Sequence, residues 1–236
     1  MPRRLAAEFL GTAFLVAIVI GSGIAGDRLS DSIGLALLIN AFATGARLGA
    51  LILAFGPASG AHFNPAVSVG ECILGTMTWS EVGTYASAQV AGGVVGAVAA
   101  EAMFGESILS ISSTDRLEPG LLLAESIATA GLLIVILGCV RGRRPASTVA
   151  LAVGGYIASA YFFTASTSFA NPAVTIARVF TDTFAGIEPQ AAIAFVPIQL
   201  IAAVVAVLFM RWLYPSLTSS EGHIVVPELE EREVAS

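Results

Sequence analysis

The chain of 236 residues is 56% hydrophobic and 12% charged, with a net charge of −6 and a mean hydropathy of +0.85. A water-soluble domain cannot hide that much apolar surface, so soluble classes are excluded and an integral membrane protein remains. Much of the negative charge lies after Tyr214, where Glu221, Glu228, Glu230, Glu231 and Glu233 stand against Arg232 alone. Residues 215–236 therefore read as an acidic, solvated and disordered tail.

Crossing roughly 30 Å of hydrocarbon takes about 20 helical residues. The first candidate span is 5–25; Arg3 and Arg4 before it resemble a secretory signal, but Glu8 sits within the run and more spans follow, so it reads as an uncleaved helix. The second, 33–55, carries Thr44 and Arg47. An arginine inside a span reads either as a cytoplasmic-vestibule residue or, the favoured structural reading, as a side chain that snorkels or pairs with a carboxylate such as Glu71 or Glu101. Segment 61–76 is apolar but too short to cross. The third span, 81–104, holds Gly92, Gly93 and Gly96, which predict a close helix crossing rather than a binding site. Spans 121–140 and 147–164 follow, then a second short segment, 169–180, and a last span, 191–213. The prediction is an all-α membrane protein with six transmembrane helices and two short helices between them.

Each short segment opens on the same tetrapeptide: Asn64-Pro65-Ala66-Val67 and Asn171-Pro172-Ala173-Val174. Other features recur in register. Ala7-Glu8-Phe9-Leu10-Gly11-Thr12 returns as Ala124-Glu125-Ser126-Ile127-Ala128-Thr129, and Gln89 before Val94-Val95 returns as Gln199 before Val204-Val205. The chain is a duplication, with repeats over 3–105 and 120–214 inside one unit of 1–214. Three spans per half is an odd number, so the halves insert in opposite senses as an inverted repeat. The chain has no lysine; Arg3, Arg4, Arg141, Arg143, Arg144 and Arg211 flank one side, against Arg28, Arg116 and Arg178 near the other. The excess of positive charge places both termini in the cytoplasm, in the inner (plasma) membrane.

Asparagine is a preferred N-cap and proline suits a first helical turn, so both Asn-Pro-Ala segments read as helix starts. As re-entrant half-helices they enter from opposite faces, and irregular backbone at that depth needs surrounding protein or a water-filled cavity. Their facing N-termini concentrate positive potential at the midplane, which opposes cations and protons. A neutral hydroxylated solute meets no such barrier, and the amides of Asn64 and Asn171 can donate hydrogen bonds to it. The residues point to a passive pore for small uncharged polar molecules.

Over residues 3 to about 214 the chain resembles the aquaporin and aquaglyceroporin family (major intrinsic proteins). Ser59-Gly60-Ala61-His62-Phe63-Asn64-Pro65-Ala66-Val67 is similar to its first signature loop. The resemblance implies six spans with two half-helices, one pore per subunit and a homotetramer in membrane lipid. It also implies that Glu8 and Glu125 are buried structural carboxylates bracing the two loops. The second signature departs from the family, because Val174 stands where most members carry the arginine of the outer filter. Projecting the other filter places by spacing gives Thr44, Ser159 and Ser168, hence a constriction that is wide, uncharged and mildly polar. Valine for arginine resembles a bacterial branch associated with arsenic resistance, which implies arsenite, antimonite and related metalloid species as solutes, with glycerol and water beside them. A glycerol or water facilitator without a metalloid role is the alternative.

Arg178 follows Val174 by one helical turn on the same face, which suggests an outer-vestibule residue. His62 reads as a support of the first loop facing a vestibule; the other histidine, His223, lies in the tail, so no metal site forms. No grouping of nucleophile with base or metal marks an enzyme, and no cofactor or nucleic-acid partner is expected. Cys72 and Cys139 lie in apolar stretches and read as packing residues. A non-conducting membrane scaffold remains a further reading, separable by liposome swelling.

Overall fold

The computed structural model describes residues 1–215; the acidic tail from Ser216 onward lies outside the described residues. Eight α-helices run in the order α1 (Pro2–Leu29), α2 (Ile33–Ser59), α3 (Pro65–Leu74), α4 (Trp79–Phe104), α5 (Pro119–Arg141), α6 (Ala146–Phe163), α7 (Pro172–Ala177) and α8 (Pro189–Leu213), with a 3₁₀ turn Arg178–Phe180 after α7. Six are long and apolar enough to cross a membrane. The two that are not, α3 and α7, are those that begin at the duplicated Asn-Pro.

Helix starts follow local chemistry. α1, α3, α5, α7 and α8 carry proline in the first turn, where its missing N–H costs nothing. α4 begins with a capping box, in which Thr78 accepts from the Glu81 amide and the Glu81 carboxylate accepts from the Thr78 amide. Gly60, Gly75 and Gly105 close α2, α3 and α4 in the left-handed region, which glycine enters without a Cβ clash.

The halves are built alike. In the first, α1 packs on α2 and α4; in the second, α5 packs on α6 and α8; α2 against α6 joins them. Each half-helix then crosses over, α3 packing on α8 and α7 on α4. The α1–α4 crossing depends on glycine: a Cβ at Gly92 would fall 2.1 Å from the Phe9 carbonyl oxygen, and one at Gly96 2.2 Å from that of Ala13. The outer face presents Phe42, Leu151, Ile193 and Trp212, apolar side chains suited to lipid.

Of the two structural readings of Arg47, pairing with Glu71 or Glu101 does not occur among the described residues, and the exposed side chain is left with the snorkelling one. It lies on the outer face of α2 and lines an external groove with residues of α1 and α4, with no ion pair among the described residues. Glu71 is buried beside His62 and Thr76, and Glu101 accepts the Leu109 amide at 2.8 Å. Both carboxylates face the interior, whereas Arg47 is about 200° from the inward-facing Gly45 on its helix.

Candidate conduction pathway

Two buried carboxylates shape the loops that carry the repeated motif. Glu8 on α1 accepts from Ser59 Oγ at 2.6 Å and from the amides of His62 and Phe63 at 3.0 and 2.7 Å, and Gln89 Nε2 donates to it at 2.7 Å. Glu125 on α5 accepts from Ser166 Oγ at 2.6 Å, from the Phe169 and Ala170 amides at 2.9 Å each, and from Gln199 Nε2 at 2.6 Å. The two lists match residue for residue in the repeats. Four donors satisfy each carboxylate, which is what allows a charge to lie fully buried. They also hold the loops in backbone that non-glycine residues avoid: Ala61, Phe63, Thr167, Ser168 and Ala170 all have φ between 49° and 61°.

So shaped, the loops present Asn64 and Asn171 at the starts of α3 and α7. Asn64 Oδ1 accepts from the Ala66 amide at 2.9 Å, and Asn171 Oδ1 from the Ala173 and Val174 amides at 2.9 and 3.3 Å. Each side chain then ties to the other loop: Asn64 Nδ2 donates to the Ala170 carbonyl and Asn171 Nδ2 to that of Phe63, both at 2.8 Å. An amide nitrogen carries two N–H groups, so one remains on each asparagine.

A cavity of ≈ 60 Å³ passes both asparagines. Its polar wall includes His62, Asn64, Asn171, Ser168, Thr44 and Tyr161, and its apolar wall Val19, Leu48, Ile136, Val153, Ile157 and Val174. Thr44 Oγ1 and the Tyr161 hydroxyl lie 3.2 Å apart in a hydrogen bond. Ser168 is buried and its hydroxyl has no partner among the described residues. His62 Nδ1 is 2.9 Å from Ser68 Oγ, and its Nε2 is 3.4 Å from a Glu71 carboxylate oxygen, so the ring braces the first half-helix while one face borders the cavity.

The structure brings Thr44, Ser168, Val174, His62 and Arg178 together on this cavity. It does not bring Ser159 there. Ser159 is exposed on the outside of α6, its hydroxyl donating to the Tyr156 carbonyl at 2.7 Å. Counting back from Asn171 crosses the irregular stretch between α6 and α7, where helical phase is lost. On α6 the inward stripe is Val153, Ile157 and Tyr161, and Ser159 is about 200° from Ile157. The cavity wall therefore holds an aromatic side chain, Tyr161, where the spacing projects a small one. Tyr161 escaped the sequence reading, although the four-residue spacing Val153-Ile157-Tyr161 is visible there.

The cavity wall is not free of charged side chains either. Arg178 is 2% exposed and borders the cavity. Its Nε donates to the Ala185 carbonyl, and its guanidinium carbon lies 3.5 Å from the centroid of the Phe169 ring. Phe169 is also met by Arg116 at 5.2 Å, whose Nε donates to the Gly186 carbonyl at 2.9 Å. Neither arginine has a carboxylate partner among the described residues. Among the same residues no cluster of histidine, cysteine and carboxylate could hold a metal.

Comparison with known proteins is consistent along the chain. Residues 1–148 match the family described as "Major intrinsic protein". A relative named aquaglyceroporin AqpS, from Rhizobium meliloti (strain 1021), is 48% identical over 213 residues, covering 90% of this chain and 91% of its own. Another, named aquaporin Z, from Brucella melitensis biotype 1, is 33% identical over 200 residues, covering 78% and 87%. In structure, the fold superposes on the X-ray structure of the aquaglyceroporin from Plasmodium falciparum with a TM-score of 0.74 at 22% identity, covering 91% of this chain and 98% of the other.

Proposed function

The chain belongs to the major intrinsic protein family and is a multi-pass membrane channel for water and small solutes rather than an enzyme; from that premise we propose that its cargo is small, neutral and polyhydroxylated, with arsenite, antimonite and related metalloid hydroxides ahead of glycerol. The observation that carries this reading is the two-sided wall of the cavity, hydroxyls and amides on one side and aliphatic carbon on the other. A solute with an edge of hydroxyls slides along the first while its remaining surface lies against the second, and every water it sheds is replaced. Undissociated arsenite and glycerol both present such an edge.

In this reading the N–H groups left on Asn64 and Asn171 donate to the solute at mid-pathway. Thr44, Tyr161, Ser168 and Val174 form the constriction, and Glu8 and Glu125 are its braces. Residues 1–214 form one channel unit. The termini lie in the cytoplasm, so His62 lies toward the inner end of the pathway and Arg178 toward the outer end. Four copies assemble in the inner membrane with one pathway each.

A stopped-flow panel of water, glycerol, urea and arsenite on proteoliposomes tests the reading. Val174→Arg fills the apolar side of the constriction and lowers glycerol and arsenite flux at least tenfold while water still passes. Fluxes of both solutes unchanged by that substitution would overturn the argument. The second reading, a glycerol and water facilitator, draws on the name of the relative at 48% identity; it prevails if arsenite enters no faster than into protein-free vesicles.

A further inference from the structure

Val174 leaves the place directly after the second motif apolar, yet an arginine borders the same cavity. Arg178 starts the 3₁₀ turn that ends the second half-helix, one helical turn beyond Val174. Its side chain borders the same cavity as Val174, Ser168, Thr44 and Tyr161. Two contacts fix it there: the hydrogen bond from Nε to the Ala185 carbonyl, and the stack on Phe169 at 3.5 Å. Phe169 is itself placed by the Glu125 carboxylate through its backbone amide at 2.9 Å.

A guanidinium used only as a brace finds a carboxylate when buried, because an unpaired charge away from water is costly. Arg178 has none among the described residues, and its two terminal amino groups make no hydrogen bond there. Arg116, on the far connector, adds a second unneutralised cation against the same ring. At low dielectric the pair creates a positive potential that water screens poorly. Next to it the buried Ser168 hydroxyl has no partner, so it is free to bond whatever passes.

We propose that Arg178 is the selectivity-determining cation of the constriction, supplied from one helical turn beyond the position that Val174 leaves apolar. This rests on the channel reading above. The guanidinium rejects metal cations and protonated species, while its terminal N–H groups and the Ser168 hydroxyl bond the oxygens of a neutral hydroxylated solute. Moving the arginine one turn along vacates the space beside Val174, so the pore gains room without losing its charge.

The test uses proteoliposomes of the full chain with two readouts, glycerol-driven swelling and sodium or proton entry driven by a potassium diffusion potential. Arg178→Leu and Arg178→Gln remove the charge, and Gln keeps a donor for the Ala185 carbonyl. Arg178→Lys keeps the charge, and Arg178→Leu combined with Val174→Arg returns an arginine to the constriction from the other place. The expected result is cation entry at least tenfold above wild type in the Leu and Gln variants with glycerol flux still measurable. Entry stays low in Lys and returns to low in the double variant. Neutral variants that pass glycerol yet exclude cations like wild type overturn the proposal. So does a loss of glycerol flux in Leu and Gln alike with cation entry still as low as in wild type, which assigns Arg178 a bracing role. A wild-type protein that passes no glycerol, arsenite or water instead sinks the channel reading itself.

Discussion

Glu8 and Glu125 were legible as a pair because they recur in register, and the family resemblance implied that they brace the two loops, but the side chains that meet them, Ser59, Ser166, Gln89 and Gln199, could be assigned only in the fold. Each carboxylate accepts from two backbone amides of a loop held at positive φ, so it offsets strain that the loop could not carry alone. Glu125→Gln replaces one acceptor with a donor facing donors, and each donor orphaned there costs ~1–3 kcal/mol. The purified variant should melt several degrees lower in detergent and lose most solute flux, and Glu8→Gln should behave alike. Equal melting and flux in wild type and Glu125→Gln would remove the carboxylate from the design. The filter gives the opposite lesson. Spacing from the motif picked out Thr44, Ser168 and Val174, which line the cavity, and Ser159, which does not, since spacing across an irregular stretch loses helical phase. Ser159→Leu, on the outer face, should leave the ratio of glycerol to water permeability as it is. Tyr161→Ala should raise entry of polyols longer than glycerol, read by swelling rate. The reverse pattern would restore Ser159 to the pathway.

At the scale of the element, the helices were readable because their signals are local. Apolar length set the six spans to within a few residues, and Asn-Pro marked the starts of the two short helices; α2 runs on to Ser59, past the predicted end at 55, despite Pro57 within it. Arg47 was unreadable for a complementary reason. Which way a charged side chain faces depends on the phase of its helix against neighbours far away in sequence. Glycine separates the two kinds of information within a single helix. Gly96 in α4 meets the Ala13 carbonyl, whereas Gly83 in the same helix has open space where a Cβ would go. Gly96→Val should force α1 from α4 and lower the yield of folded protein on size-exclusion chromatography. Gly83→Ala should raise stability by about 0.5–1 kcal/mol, since alanine is the better helix former and nothing stands in its way. If both substitutions acted alike, the crossing would not depend on close approach.

For the whole molecule, duplication does what no single element could. Three spans per half invert the second copy, and inversion brings Asn64 and Asn171 into reciprocal bonds with the opposite loop. The same parity fixes which connectors share a side. Arg28 bonds Glu106 at 2.6 Å and Ser113 bonds Asp182 at 2.9 Å, so the α1–α2, α4–α5 and α7–α8 connectors lie at one end. Arg141 lies over Tyr214 at 5.8 Å, which places the α5–α6 turn at the other end with the close of α8. The arginines divide unequally between these ends, and by the positive-inside rule that excess predicts the direction of insertion. Cysteine substitutions at exposed Ser107 and Ser147, in a background lacking Cys72 and Cys139, read the direction without moving an arginine. Ser107→Cys should react with a membrane-impermeant maleimide added to intact spheroplasts, and Ser147→Cys only after the membrane is opened. The opposite labelling would turn the molecule over, exchange the inner and outer vestibules, and put Arg178 at the cytoplasmic end of the pathway.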